Sequence, residues 1–176
     1  MFTSGEPDGI SNIRKNLFLI NLCFNKPHTR GVFCYWDDVD LGMKKIEVVA
    51  GIITNDFNQI LCTQRNVGPY SYISKKFEFP GGKIEDHESH ENALEREILE
   101  ELNLKVLIGK LFLMVEHQYP DFYLTMHAYK CNTTSYEIEL NEHIDYKWMD
   151  IEDIQTLDWA AADIPIVDKL VLNEHG

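Results

Sequence analysis

The chain has 176 residues, 44% of them hydrophobic, enough for one compact domain with a buried core and no need of a second. Its formal net charge of -13 and pI near 4.8 argue against a protein that holds DNA or RNA through its phosphates, because that binding needs a basic face. No run approaches the roughly 20 apolar residues needed to span a bilayer, and Cys23, Cys34, Cys62 and Cys131 show neither zinc spacing nor a disulfide framework.

Residues 1–42 carry no sustained period of 2 or 3.6 and read as a poorly organised N-terminal extension. Within it, NIRKNLFLINLCF (12–24) places Arg14 and Lys15 before a short apolar run. Asn21 interrupts that run and no A-x-A site follows, so a cytoplasmic protein with reduced thiols is expected rather than a secreted one. The folded domain is expected over 43–176.

From Met43 the pattern sharpens. IEVVAGIIT (46–54) and QILCTQR (59–65) read as two strands of a hairpin around a turn at Asn55 to Asn58. Residues 66–76 read as a loop, and FEF (77–79) as a short strand entering Pro80-Gly81-Gly82. Leu94, Ile98 and Leu102 stand at i, i+4 and i+8, which predicts a helix from about Ser89 to Leu102 with Asn103 as a left-handed cap. Further strands are expected at 105–118, 122–131 and 144–149, then a helix from about Ile164 to Leu172. Strands on both sides of a central helix, with a second helix last, imply an α/β fold, a mixed sheet with helices on its faces.

The segment FEFPGGKIEDHESHENALEREILEELNL (77–104) concentrates acid where repulsion costs a few tenths of a kcal/mol per helical pair. At about 100° per residue, Glu97, Glu100 and Glu101 fall within roughly a 100° arc, and the expectation is that this arc faces away from the Leu94, Ile98, Leu102 stripe. Such a face is often no more than a solvated acidic surface. Here it follows a Pro-Gly-Gly turn, whose backbone can aim a carbonyl oxygen at the same face. All-oxygen ligands of this kind suit Mg²⁺ or Mn²⁺.

Gly82, five residues, Glu88, seven residues, then Arg96-Glu97-Ile98-Leu99-Glu100-Glu101-Leu102-Asn103-Leu104 resembles the Nudix box, G-x5-E-x7-R-E-U-x-E-E-x-G-U with U aliphatic. The one departure is Asn103 in place of the last glycine, and Asn tolerates a left-handed backbone. Within the Nudix superfamily the chain is most similar to the MutT-like nucleoside triphosphate pyrophosphohydrolases. The likeness also takes in 43–65, FEFPGGKIE (77–85), YPD (119–121), EHIDYKWM (142–149) and DWAAADIPIVDKL (158–170).

The resemblance implies an α/β/α sandwich with a central mixed sheet. It also implies metal ligands at the Gly81 carbonyl, Glu97, Glu100, Glu101 and the distant Glu142, with Mg²⁺ as cofactor and Mn²⁺ as a substitute. Glu97 or Glu100 would act as general base, and the sequence does not choose between them. Arg96 would orient the glutamates, Gly82 would open the motif and Glu88 would brace its loop. Arg65 would meet phosphate, while Phe79 and Asp163 would face the nucleobase. For Asp163 the alternative is a plain N-cap of the final helix.

The implied reaction is hydrolysis of a (deoxy)nucleoside triphosphate to monophosphate and pyrophosphate by attack at the β-phosphorus, a nucleotide-pool housecleaning step allied to DNA repair. Phe122 stands where the prototype carries a purine-contacting arginine, so 8-oxo-dGTP and cytosine nucleotides are held equal as substrates. Two alternatives stay open. One is a Nudix hydrolase of ADP-ribose, a dinucleoside polyphosphate or a similar nucleoside diphosphate derivative. The other is a nucleotide-sensing module without catalysis, although the complete R-E-x-x-E-E core weighs against that. The expected partner is a small nucleotide, with no nucleic acid polymer and no membrane, acting on a monomer or homodimer.

Overall fold

The computed structural model describes residues 43–174. The expected N-terminal extension, residues 1–42, lies outside them, as do Cys23 and Cys34. In chain order the elements are β1 (Lys44–Thr54), β2 (Ile60–Gln64), β3 (Phe77–Glu78), α1 (His90–Leu102), β4 (Leu107–Gln118), β5 (Phe122–Asn132), β6 (Asp145–Met149), a 3-10 turn (Ile154–Thr156) and α2 (Ile164–Glu174).

The first hairpin turns where its asparagines allow. Asn55 Oδ1 accepts from the backbone N–H groups of Phe57 and Gln59, both at 2.9 Å, and Asn58 takes a left-handed φ of 61°. The sheet runs β3-β2-β1-β5-β4, with β6 also paired to β2. β1 and β5 are parallel, from Lys44 opposite Phe122 to Thr54 opposite Asn132, and the other strand pairings are antiparallel. A parallel pair at the centre is covered on both faces, which is why β1 reads as the unbroken apolar run VVAGII rather than as a clean alternation.

Side chains still alternate between the two faces. Val49 and Ile53 of β1 pack with Tyr129 and Cys131 of β5 under Leu94, Ile98 and Leu102 of α1. Ala50, Ile52, Leu124 and Met126 pack on the opposite side with Ile166, Val167 and Leu170 of α2. The result is the expected helix, sheet, helix sandwich. Burying each of the three α1 residues contributes about 1.5 to 3 kcal/mol, so α1 is held by its packing and not by its acid-rich exposed face. Cys62 and Cys131 are free, buried thiols, and burial pushes Cys131 up to about 12 and Cys62 higher still. Among the described residues no helix is long and apolar enough to cross a membrane.

Candidate active site

The Pro80-Gly81-Gly82 turn is laced to β1. Gly51 N–H donates to the Pro80 carbonyl at 2.8 Å and Val49 N–H to the Gly82 carbonyl at 2.9 Å. The carbonyls on either side of Gly81 are thereby used, and among the described residues the Gly81 carbonyl accepts no hydrogen bond. Gly81 has a φ of 147°, and a Cβ there would lie 2.2 Å from the Val49 carbonyl oxygen. A Cβ on Gly82 would fall 2.3 Å from Glu97 Oε2, so the absence of a side chain is what lets this carboxylate reach the turn.

Helix α1 starts at an Ser89 cap, whose Oγ accepts from Asn92 N–H at 3.2 Å, and ends at Asn103 with a left-handed φ of 49°. Arg96 gathers the acids around it. Its Nε and Nη2 clamp the two Glu88 oxygens at 3.0 and 2.8 Å, Nη1 donates to Glu97 Oε1 at 2.8 Å, and Nη2 also reaches the Lys83 carbonyl at 3.0 Å. The bidentate bond from Arg96 holds the Glu88 carboxyl below the ordinary carboxylate range. One end of the guanidinium thus fastens the loop, and the other presets Glu97.

The three glutamates of the arc do not share one environment, and the expectation that they all turn from the apolar stripe is corrected for Glu101. It is only 7% exposed, and its Oε2 accepts from Gly81 N–H at 3.2 Å. Seven residues after Leu94 is nearly two whole turns, so helix geometry sets Glu101 beside the stripe, at the seam where α1 meets the glycine turn. Glu97 comes next around the helix. Glu100 is farthest out: its side chain is 63% exposed and it approaches Arg96 Nη1 at 3.7 Å.

Glu142 reaches the same place because the loop before it closes off the end of α1. Asn141 N–H donates to the Glu101 carbonyl at 3.0 Å, Asn141 Nδ2 to the Glu100 carbonyl at 2.6 Å, and Glu139 N–H to the Leu102 carbonyl at 3.0 Å. Carbonyls that the helix leaves without partners at its C-terminus become the anchor for the loop. A cleft of about 460 Å³ results, and Gly81, Glu97, Glu101, Glu142, Arg65 and Asp163 all line it. Glu100 does not.

Asp163 also lines the cleft, is 2% exposed, and its Oδ1 accepts from Phe79 N–H at 3.0 Å. Its backbone carbonyl, not its side chain, takes the first N–H groups of α2, from Ile166 and Val167. The side chain is therefore turned into the cleft rather than used as a helix cap. Burial, reinforced by the nearby Glu78 charge, pushes its carboxyl well above the usual range, against the pull of Phe79 N–H and Arg65. Phe79 packs its ring on Trp159 with centroids 4.8 Å apart. Arg65, just past β2, pairs with Glu78.

Several residues at this site carry no motif. Glu78 bridges Arg65 and the buried His143, whose Nε2 lies 3.0 Å from Glu78 Oε1. Burial pulls the His143 imidazole down, but the Glu78 bond and the Glu101 charge outweigh it and the net shift is upward. Tyr70, Tyr119 and Phe122 build an aromatic wall, with centroids 4.9 to 5.3 Å from Phe122 to its two neighbours. The wall's one sequence signal is the aromatic spacing around Tyr119-Pro120-Asp121-Phe122. Glu78 and His143 have only their adjacency to Phe79 and Glu142.

The NUDIX domain model matches residues 44–170. The chain belongs to the Nudix hydrolase family. It is 33% identical over 128 residues to the 8-oxo-dGTP diphosphatase of Escherichia coli K12, covering 73% of this chain and 98% of that one. It is also 33% identical over 129 residues to the CTP pyrophosphohydrolase of the same strain, covering 73% and 93%. Among solved structures it is similar to the MutT protein of methicillin-resistant Staphylococcus aureus 252, with a TM-score of 0.58 and 37% identity over 74% of this chain and 98% of that one. These relatives set it in the MutT-like group of Nudix enzymes.

Nudix hydrolases in general depend on a divalent metal, and the donors gathered here fit one. A carbonyl oxygen without a hydrogen bond and three carboxylates, one of them buried, form an oxygen-only set that is unfavourable without a cation. Burial pushes the Glu101 carboxyl up to about 7, with Glu78 and Glu97 adding to the rise and His143 and the Gly81 N–H opposing it. The folded Nudix domain then binds that proton more tightly than the unfolded chain does. Its metal-free stability contribution is present below about 4.5 and is lost as pH rises toward about 7, by a few kcal/mol at most. In thermal melts with chelator, the Tm of Glu101→Gln relative to wild type is expected to increase across that window. A constant difference would contradict it.

Proposed function

We propose that this Nudix hydrolase splits a (deoxy)nucleoside triphosphate into the monophosphate and pyrophosphate with Mg²⁺, Mn²⁺ substituting, as a cytoplasmic housecleaning enzyme acting as a monomer or homodimer on free nucleotides. What carries the reading is a single cleft lined both by the oxygen donors Gly81, Glu97, Glu101 and Glu142 and by a buried hydrogen-bonding carboxyl, Asp163. That layout suits a ligand with a polyphosphate at one end and a heterocycle at the other.

Gly81, Glu97, Glu101 and Glu142 would hold the ions, with Glu100 completing the set from the helix edge. Ions bound there neutralise the triphosphate and make a water acidic enough to attack. Glu97 would take the proton from an attacking water: it lines the cleft, and Arg96 holds its Oε1, leaving Oε2 without a hydrogen bond among the described residues. Arg65 meets phosphate, and the Tyr119 and Phe122 rings stack on the base.

Asp163 reads the base edge. Its Oδ1 is occupied by Phe79 N–H, and a neutral carboxyl keeps a second oxygen that donates, which suits cytosine N3; an ionised one accepts, which suits the N–H groups of an oxidised guanine. Cytosine nucleotides and 8-oxo-dGTP are accordingly the two arms of a pyrophosphate-release screen with and without Mg²⁺. Release from neither, with ADP-ribose also left intact, would reduce the chain to a sensing module, and cleavage of ADP-ribose to AMP and ribose 5-phosphate, read as new phosphomonoester because it frees no pyrophosphate, would move it to another substrate class. Asp163→Ala is expected to shift the ranking of nucleotides by about 1 to 3 kcal/mol in relative kcat/KM. A uniform loss across all of them would remove Asp163 from the base pocket.

The domain is proposed to begin at Met43. A chain starting there is expected to fold and to keep turnover, since every residue assigned above lies beyond it. Insolubility or loss of activity in that truncation would give residues 1–42 a part in the fold or the site.

A further inference from the structure

Outside the cleft, three metal-binding side chains from three different elements converge. Glu47 lies on β1, His90 is the first residue of α1, and His127 lies on β5, on the sheet face that α1 covers. None of them lines the cleft. His127 Nε2 is 2.7 Å from Glu47 Oε1, the His90 and His127 rings are 4.2 Å apart between centroids, and a ligand atom of each residue lies within 4.8 Å of the other two. Glu47 and His127 reach one another because β1 and β5 are parallel, with Val49 opposite His127, so Glu47 is the next residue on the same face.

We propose that Glu47, His90 and His127 form a second metal site, selective for a Zn²⁺-class transition ion and separate from the glutamate site of the Nudix cleft. Two imidazoles and one carboxylate are borderline donors that suit Zn²⁺ or Co²⁺, whereas Mg²⁺ favours oxygen ligands. A tetrahedral ion with bonds of about 2.0 Å wants its ligand atoms roughly 3.3 Å apart. Glu47 and His127 are already near that spacing, and the His90 ligand atom lies within 4.8 Å of both, so no more than about 1.5 Å of approach remains.

His90 is also oriented from behind. Its Nδ1 lies 3.0 Å from Tyr129 Oη, which leaves Nε2 for the ion, the arrangement in which an outer hydrogen bond sets the ligating tautomer. The His127 side chain is almost wholly covered and that of Glu47 is 57% exposed, so three ligands stand on the protein side and a fourth position opens to water. The helix dipole opposes a cation at this end of α1, and the Glu47 charge answers it. An ion here joins β1, β5 and the start of α1, the helix that carries the Nudix glutamates about 10 to 17 Å further along.

The test is a Co²⁺ and Zn²⁺ titration of the full chain in excess Mg²⁺, which keeps the oxygen donors of the cleft occupied. The expected result is one Co²⁺ per chain with intense tetrahedral visible bands, displaced by Zn²⁺. Affinity should fall at least 10-fold in His90→Gln and in Glu47→Gln, and about 10-fold in Tyr129→Phe. Glu47 is exposed, so its variant folds even if changes at His127 do not. No tetrahedral bands in the wild-type chain, or bands and affinity unchanged in Glu47→Gln and His90→Gln, would overturn the site. Nucleotide turnover with Mg²⁺ alone is measured separately, so a failure here leaves the proposed reaction standing.

Discussion

Glu101→Gln is expected to yield a folded protein whose nucleotide hydrolysis is down by about 10²-fold or more, the scale on which an enzyme loses a preorganised charge. The replacement keeps the shape of a side chain wedged between the glycine turn and the apolar stripe of α1, and its amide oxygen can still accept from Gly81 N–H. What disappears is the negative charge. Because that charge is unfavourable in its buried position, the variant should melt at or above the wild-type temperature without divalent ion and gain less from adding it. Turnover near the wild-type rate would show that the buried carboxylate is not a ligand, and the proposed metal set would lose its innermost member.

Gly81→Ala should damage both stability and rate. An added methyl meets the Val49 carbonyl at 2.2 Å and the Ala50 Cα at 2.9 Å, backbone atoms of the central strand that cannot swing aside as a side chain can, and a φ of 147° is itself unfavourable for alanine. A loss of about 3 kcal/mol follows, roughly 10 °C in Tm for a domain of this size. Relief of the clash would have to break the Val49 and Gly51 bonds that aim the Gly81 carbonyl, so turnover should fall further than the surviving folded fraction explains. Melting and steady-state rates measured below the Tm separate the two effects. A variant with wild-type Tm would mean the turn relaxes freely and that its lacing to β1 sets nothing.

The parts of this molecule that could be read from the chain are those encoded over short spans. The α1 stripe, the Asn103 cap and the glycine turn each depend on residues within a few positions of one another, where helix and turn geometry convert spacing directly into direction. The Nudix box belongs to that class, which is why the family was legible. The placing of Glu101 was legible too in principle, since its angle from Leu94 follows from the helix period, yet grouping it with Glu97 and Glu100 by charge hid its burial. Other features depend on partners far away in sequence. The parallel pairing of β1 with β5, the aromatic wall from Tyr70 to Phe122, and the Arg65, Glu78, His143 chain arise only when the sheet assembles. No local period announces them. Asp163 sits between the two cases: its position before Pro165 reads as a cap, while its side chain answers to Phe79, more than eighty residues earlier.

Surface loops ordinarily absorb inserted or deleted residues at little cost. The stretch that delivers Glu142 is built differently. Thr133 N–H is fastened to the Thr54 carbonyl at one end, and Asn141 N–H to the Glu101 carbonyl at the other, each at 3.0 Å. Pinned at both ends, the segment works as a measured spacer between the edge of one strand and the tip of a helix. A single extra residue carries up to about 3.4 Å of chain, enough to carry the Glu142 carboxylate away from the cleft it lines. The length of that loop, more than the side chains along it, decides whether Glu142 lines the cleft at all.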